Sequence, residues 1–343
     1  MVEVVMTRIK DVAEYAGVSV SSVSRYLNAP ESLKNETREK VHMAVEALQY
    51  SPSSLARGLR SRTTNRIAFI IPSLANMYFL DLYGALHNEA SKKGYTINLL
   101  TTDYNSQTLR EYMSQLPTWG VDGVVIAFLD NDDVIPDIRR AQQYASIVLL
   151  SSLPNRQEFN TVFLDVEEGM IKSTQHLIDK GCTKIAFIGG LKEDGATQEK
   201  QSGFEIAMRN NNLEIEPELF YFGPNHFTTG FWGARQFLRL PVRPDGVVCC
   251  TDDIAMGCIK QLIRSGLKVP MDVKVIGFNG ISFINTYEPA ISSLQHPMAS
   301  MAVEVVNLLY NSIVHPGARK QQITFHTTLV VNTSTDPMAP DRL

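Results

Sequence analysis

Arg8-Ile-Lys-Asp-Val-Ala-Glu-Tyr-Ala-Gly-Val-Ser-Val-Ser-Ser-Val-Ser-Arg-Tyr-Leu-Asn28 is the stretch whose reading decides the fold of this 343-residue chain. Ile9, Val12, Ala13 and Ala16 recur at three- and four-residue spacing, so they form one apolar stripe on a short helix. Gly17 ends that helix, because glycine leaves through a left-handed turn without steric cost, and Ser19 is placed to cap a second helix over Val20 to Leu27. Val23 and Leu27 then face the first helix. Val20, Ser21, Ser22 and Arg25 are left on the opposite side, where DNA base edges could meet them. Two short helices joined at a glycine also occur in ordinary helical cores, so the spacing by itself leaves both readings open.

Working outward, a third helix tips the balance. From Asn35, read as its N-cap, the chain runs to Tyr50 with Val41, Ala44, Val45 and Leu48 on one face, enough to close a three-helix domain. Residues 7–63 hold nine Lys or Arg against six Asp or Glu, whereas residues 64–343 hold 23 against 29. Only the small N-terminal part therefore carries the net positive charge that suits phosphates.

These residues resemble the N-terminal signature of the LacI/GalR family of bacterial transcription regulators. The resemblance rests on Asp11-Val12-Ala13, Ala16-Gly17-Val18-Ser19, Val23-Ser24-Arg25 and Leu27-Asn28 in one ungapped block. It continues through Thr37-Arg38, Tyr50-Ser51-Pro52 and Ala56-Arg57-Gly58-Leu59, and then covers almost the whole chain. It implies an all-α helix-turn-helix domain over 7–53 that binds double-stranded, palindromic operator DNA through Val20, Ser21, Ser22, Arg25 and Asn28. A hinge over 54–64 is expected to follow. Read from the residues alone, Leu55 to Arg60 is about one and a half helical turns, marginal in water and weakened by Gly58. That is a solvated linker. By resemblance it is a hinge helix that orders on the operator's minor groove, with Ser53, Ala56 and Arg57 at the DNA and Leu59 as the wedge between base steps.

The remaining composition narrows the class further. A hydrophobic fraction of 44% is that of a globular protein. No apolar run approaches the ~18 residues of a membrane span, and no signal-peptide pattern opens the chain, so a cytoplasmic protein without membrane contact is expected. Cys182, Cys249, Cys250 and Cys258 lack any paired CxxC spacing, which favours buried thiols over a metal site.

From Arg66 onward, β-rich apolar runs alternate with amphipathic stretches, the pattern of βα units around parallel sheets. Strands are expected at 67–71, 96–100, 123–128, 147–150, 184–188, 246–250 and 274–277. Three intervening helices end with a cation shortly before Gly94, Gly181 or Gly266. Parallel sheets bind ligands beyond the carboxyl ends of their strands. The resemblance implies two α/β lobes of periplasmic-binding-protein type within an effector-binding and dimerisation domain over 65–343. Lobe 1 takes about 65–164 and 297–324, and lobe 2 about 165–296 and 325–343. Crossovers are expected near Asp165, His296 and Phe325.

The expected effector pocket draws on Asn76, Tyr78, Phe79, Ser151, Asp165, Lys200, Phe227, Asp252 and Asn279, which together offer aromatic faces and polar edges for a sugar. Lys200 stands where many members of the resembled family have an Arg, Asn279 where many have Asp, and Ser151 near a common Asp. A Lys is a point donor and an Asn lacks charge, which opens the choice between a neutral sugar, a phosphorylated sugar and a non-sugar metabolite. A neutral sugar is preferred, because Lys200 is the one firm cation of the set. The short stretch 332–343 carries no leucine heptads, so a homodimer is expected and not a coiled-coil tetramer. Two rivals remain: an α/β enzyme and a solute-binding protein. Gly189-Gly190 matches neither a G-x-G-x-x-G turn nor a phosphate loop, and neither a G-x-S-x-G elbow nor an HExxH motif occurs. A solute-binding protein would have the same lobes but a signal sequence in place of a basic helix-turn-helix. The reading is a transcription repressor of a carbohydrate-utilisation operon, not an enzyme, with no cofactor and no metal.

Overall fold

The structure, a computed structural model, describes residues 7–50, 63–127, 132–151 and 157–340, with the side chains of Asn28, Asp132 and Ser151 left aside. The chain forms two compact units, one ending at Thr64 and one starting at Asn65. In the first, α1 (Ile9–Tyr15), α2 (Val20–Asn28) and α3 (Asn35–Ala47) close on a core of Val12, Ala13, Val23, Val41 and Ala44. Gly17 adopts a φ of 64°, and the Ser19 hydroxyl accepts the Ser22 N–H at 3.2 Å to start α2. Asn35 is the first helical residue of α3 and not its cap; Lys34 is the N-cap and makes no side-chain bond there. The helix ends at Ala47, earlier than expected from the apolar pattern, because Gln49 turns to a φ of 45° while Leu48 and Tyr50 still pack on the core from outside it.

The second unit contains two six-stranded sheets. The chain lays down β1 (Arg66–Ile71), α4 (Met77–Lys92), β2 (Thr96–Thr101), α5 (Ser106–Trp119), β3 (Gly123–Ala127), α6 (Ile135–Ala141), β4 (Ser146–Ser151) and β5 (Asn160–Leu164). It then builds α7 (Val166–Asp179), β6 (Ile185–Gly189), α8 (Gly195–Asn210), β7 (Phe220–Phe222), α9 (Phe227–Phe237), β8 (Gly246–Cys249), α10 (Asp252–Arg264), β9 (Lys274–Asn279) and β10 (Ser292–Gln295). It returns for α11 (Met298–Val314) and β11 (Gln322–Phe325) and ends on β12 (Thr328–Val330). The sheet orders are β11-β5-β4-β3-β1-β2, all parallel, and β12-β10-β9-β8-β6-β7, parallel except for β12. The chain thus passes between sheets at Asp165, at His296-Pro297 and at His326-Thr327.

Strand β1 shows why its sheet is covered on both sides. Ile67, Phe69 and Ile71 pack with Tyr78, Phe79, Leu82 and Leu86 of α4, whereas Ala68 and Ile70 pack with Leu109, Met113 and Leu116 of α5. A strand buried on both faces reads as a continuous apolar run, which is why β1, β3, β4, β6 and β8 are legible. In the second sheet α9 and α10 touch backbone to backbone. A Cβ on Gly230 would lie 1.8 Å from the Ile254 carbonyl oxygen, and one on Gly257 1.9 Å from that of Phe227.

The differences from the sequence reading have physical reasons. Strand β9 runs on through Phe278 and Asn279 because β10 pairs with it up to Gln295. Strands β7, β11 and β12 escape the pattern search as three- or four-residue strands at sheet edges, β10 is short and polar at Ser292-Ser293, and β5 lies inside its sheet but opens on the polar Asn160-Thr161 and leaves only three apolar residues. Residues 331–340 are no loose tail. Ser334 and Thr335 are fully buried, and the Ser334 hydroxyl accepts from the Ser292 N–H and donates to the Val275 carbonyl at 2.6 Å. Among the described residues no helix is long and apolar enough to cross a membrane.

Candidate functional site

In the small unit, α2 presents Val20, Ser21 and Arg25 to solvent, while Val23 is sunk in the core. Ser22 is only half-exposed: its hydroxyl lies 3.0 Å from that of Ser19, and its N–H is held in the cap. An exposed valine 39% accessible, a hydroxyl and a guanidinium on one helical face offer an apolar contact for a thymine methyl and a fork for a guanine edge. Asn28 ends α2, with its side chain outside what is described, and Ser53, Ala56, Arg57 and Leu59 of the expected hinge lie outside the described residues altogether.

In the large unit a cleft opens where the carboxyl ends of both sheets converge. Its walls are Pro72, Asn76, Tyr78, Phe79 and Tyr104 from the first lobe and Asp194, Ala196, Thr197, Lys200, Asn225, Cys250, Thr251 and Asn279 from the second. The unfilled space between these walls is about 20 Å³, room for one or two water-sized groups. The lobes are joined next to it, where Asp81 of α4 accepts the Ser282 N–H at 2.7 Å and the Ser282 hydroxyl at 3.0 Å.

Of the nine expected pocket residues, the structure brings Asn76, Tyr78, Phe79, Lys200 and Asn279 to this cleft. Asn76 caps α4 through its side-chain oxygen and the Tyr78 N–H. Tyr78 and Phe79 are buried edge-to-face at 5.2 Å, so they form the apolar back wall. Lys200 is 6% exposed, donates to the Cys250 carbonyl at 2.8 Å and lies 4.2 Å above the Phe278 ring. Burial holds its pKa below the usual lysine value. Asn279 adopts a φ of 115°, a conformation that side-chain-bearing residues rarely take.

Asp165, Phe227 and Asp252 do not line the cleft. Asp165 caps α7 by accepting the Glu168 N–H at 2.9 Å. It lies beside Glu168 and His326, the one grouping of metal-ligand type among the described residues. His326 and Lys172 both pair with Glu168 at 2.8 Å, which holds that carboxyl below its usual pKa, so an ion-pair cluster joining two crossovers accounts for the grouping. Phe227 is half-buried at the start of α9 and belongs to the contact between α9 and α10. Asp252 is fully buried, and burial pushes its carboxyl up to about 7. Ser151 ends β4, its side chain undescribed.

The sequence reading missed Tyr104, Asp194, Thr197, Asn225 and Thr251. Asp194 caps α8 through the Ala196 N–H and accepts from the Thr197 hydroxyl at 3.0 Å. The Asn225 side-chain oxygen is buried without a hydrogen-bond partner. Each follows the carboxyl end of a strand, which is the signal that could have found them. Behind the back wall sits His296, 4% exposed at the second crossover, with Tyr78 and Phe278 edge-on at 5.0 and 5.5 Å. Neither ring nitrogen has a hydrogen-bond partner, and burial, aided by the nearby Lys200 charge, lowers its pKa to about 3.

A basic helix-turn-helix unit followed by a two-lobed unit with a polar cleft defines a ligand-responsive DNA-binding regulator. Residues 8–53 match the bacterial regulatory proteins of the lacI family, and residues 64–332 match the periplasmic binding proteins and sugar binding domain of LacI family. The chain belongs to the LacI family. It is 28% identical over 334 residues to the HTH-type transcriptional repressor PurR of Mannheimia succiniciproducens, across 97% of this chain and 100% of that one. The structure of the transcriptional regulator CelR in complex with cellobiose matches with a TM-score of 0.70 and 25% identity, over 96% of this chain and 99% of that one. The Lac repressor dimer bound to operator and the anti-inducer ONPF shares the fold, with a TM-score of 0.83 at 22% identity over 96% and 99%. As a member of this family the chain is a DNA-binding transcriptional repressor with a small-molecule effector, and not an enzyme.

Proposed function

We propose that this repressor acts as a cytoplasmic homodimer on a palindromic operator and that its effector is a neutral sugar held in the cleft. The observation that carries the ligand class is the character of the walls. Amides at Asn76, Asn225 and Asn279, hydroxyls at Thr197 and Thr251 and the Asp194 carboxylate surround the space. Such groups match the alternating donors and acceptors of a hydroxylated ring. The unpartnered Asn225 oxygen calls for a donor, which a sugar hydroxyl supplies. Among the described residues of the walls Lys200 is the one cation, and its ammonium is already engaged by the Cys250 carbonyl and the Phe278 face. A phosphate group usually takes several strong donors, so a phosphorylated sugar is the poorer match.

The resemblance to the PurR repressors favours a second reading, a purine base. A flat base gains most from stacking planes, and Tyr104 beside the buried Tyr78 and Phe79 is the aromatic of the walls that could offer one, whereas the remaining walls are mostly the amides and hydroxyls that suit a sugar. On the DNA side, Arg25, Val20 and Ser21 read base edges in the major groove, and Leu59 of the hinge wedges the minor groove. Dimerisation pairs two α2 helices with two half-sites. Calorimetry with cellobiose, monosaccharides, sugar phosphates and hypoxanthine tests the ligand class. Binding of a neutral saccharide alone supports the proposal, whereas binding of hypoxanthine without any saccharide replaces it with the second reading.

A further inference from the structure

Asn279 reaches the cleft from a strained backbone, with a φ of 115°. Strain of that kind persists only where neighbouring contacts over-determine it. The contacts are on the next two residues. The Gly280 N–H donates to the Ser293 hydroxyl at 3.0 Å, the Ser293 hydroxyl donates to Asp252 Oδ1 at 2.6 Å, and the Ile281 N–H donates to Asp252 Oδ2 at 2.9 Å. On the other side the Asn279 carbonyl accepts the His296 N–H at 3.1 Å, on the second crossover. Asp252 and Ser293 are fully buried. The surrounding chain is shaped around the carboxylate: a Cβ at Gly277 would stand 2.2 Å from Asp252 Oδ1, and one at Gly280 2.5 Å from the Gln295 backbone.

We infer that Asp252 is a positioning residue for effector binding, clamping the 280–281 peptide through Ser293 and Ile281 so that the Asn279 amide is held in the cleft. This rests on the cleft being the effector site. The buried carboxylate never touches the effector. It acts on affinity through Asn279 alone, and through the Asn279 carbonyl the same turn is tied to the second crossover at His296.

The test uses the full chain with Asp252→Asn, which keeps the shape but replaces one of the two accepting oxygens with a donor, so that either the Ile281 N–H or the Ser293 O–H loses its acceptor. A crystal structure of that variant is expected to show Asn279 out of its positive-φ conformation and its amide withdrawn from the cleft. An unmoved Asn279 overturns the inference whatever the effector is. Calorimetry with cellobiose then reads the coupling. Asp252→Asn and Asn279→Ala are each expected to weaken binding about tenfold, and the double variant no further than Asn279→Ala, because the two residues act as one. Multiplicative losses in the double variant also overturn it. Failure of the wild type to bind cellobiose counts against the neutral-sugar reading, and the position of Asn279 in the variant still decides the role of Asp252. Should Asp252→Asn fail to fold, Ser293→Ala breaks the same clamp and carries the same two expectations.

Discussion

Replacing His296 by Leu should make the large unit less sensitive to acid, by an amount the structure supplies. The imidazole is buried at the second crossover with both nitrogens unpartnered, and its pKa is lowered from 6.5 to about 3. A histidine whose folded pKa is depressed contributes a stability that is intact above 6.5, declines as pH falls below it and is fully lost below about 3. Each unit is worth about 1.4 kcal/mol, so at pH 5 the wild type has lost about 2 kcal/mol through this group that Leu cannot lose. At pH 7.5 the variant should already gain about 1 kcal/mol, because two unsatisfied polar atoms are gone from a site of similar volume. Burial of Asp252 and Asp253, raised to about 7 and about 6, works with the opposite sign. Folded carboxyls with raised pKa values bind protons first, so their contribution favours folding as pH falls, equally in both proteins. The difference between wild type and variant therefore isolates His296. Urea unfolding followed by the fluorescence of Trp119 and Trp232, the two tryptophans of the chain and both in the large unit, measures it at pH 7.5 and pH 5. A difference that stays the same at both pH values would refute the reasoning, since the imidazole would then find a partner or water when charged.

Three further outcomes are expected. Arg25→Ala should cost about 1–3 kcal/mol of specific operator binding and little on scrambled duplex, read by gel shift on both; equal losses would make Arg25 a phosphate contact. Leu59→Ala should remove most of the operator bend while leaving effector affinity intact, as measured on circularly permuted fragments, and an unchanged bend would return that residue to linker status. Lys200→Met should weaken a neutral saccharide by roughly 0.5–1.5 kcal/mol and a phosphorylated one clearly more, with calorimetry on both ligands separating the two.

How much was legible depended on whether the signal was local. The helix-turn-helix was readable because Val12, Ala13, Gly17, Ser19 and Val23 lie within one contiguous stretch, and each obeys helix periodicity or capping chemistry. Parallel strands buried on both faces were readable as apolar runs. The cleft was harder, since adjacent residues at a strand end point in opposite directions. Thr251 lines the cleft while Asp252 beside it turns inward to Ser293. A residue type that suits a ligand, such as the Asp252 carboxylate, says nothing of which way it faces. The strained turn at Asn279 was equally hidden, because its cause is a hydrogen bond from a residue 29 positions away from its carboxylate partner.

The central claim, that this chain reads an operator and releases or grips it according to a cleft ligand, is tested most directly by selection from random duplex DNA with the full chain. Enrichment of a palindrome whose half-sites are lost on Arg25→Ala, with affinity for it shifted at least tenfold by a neutral saccharide, is the predicted result. Recovery of no common sequence, or of one bound equally well by wild type and Arg25→Ala with and without saccharides, would contradict the account.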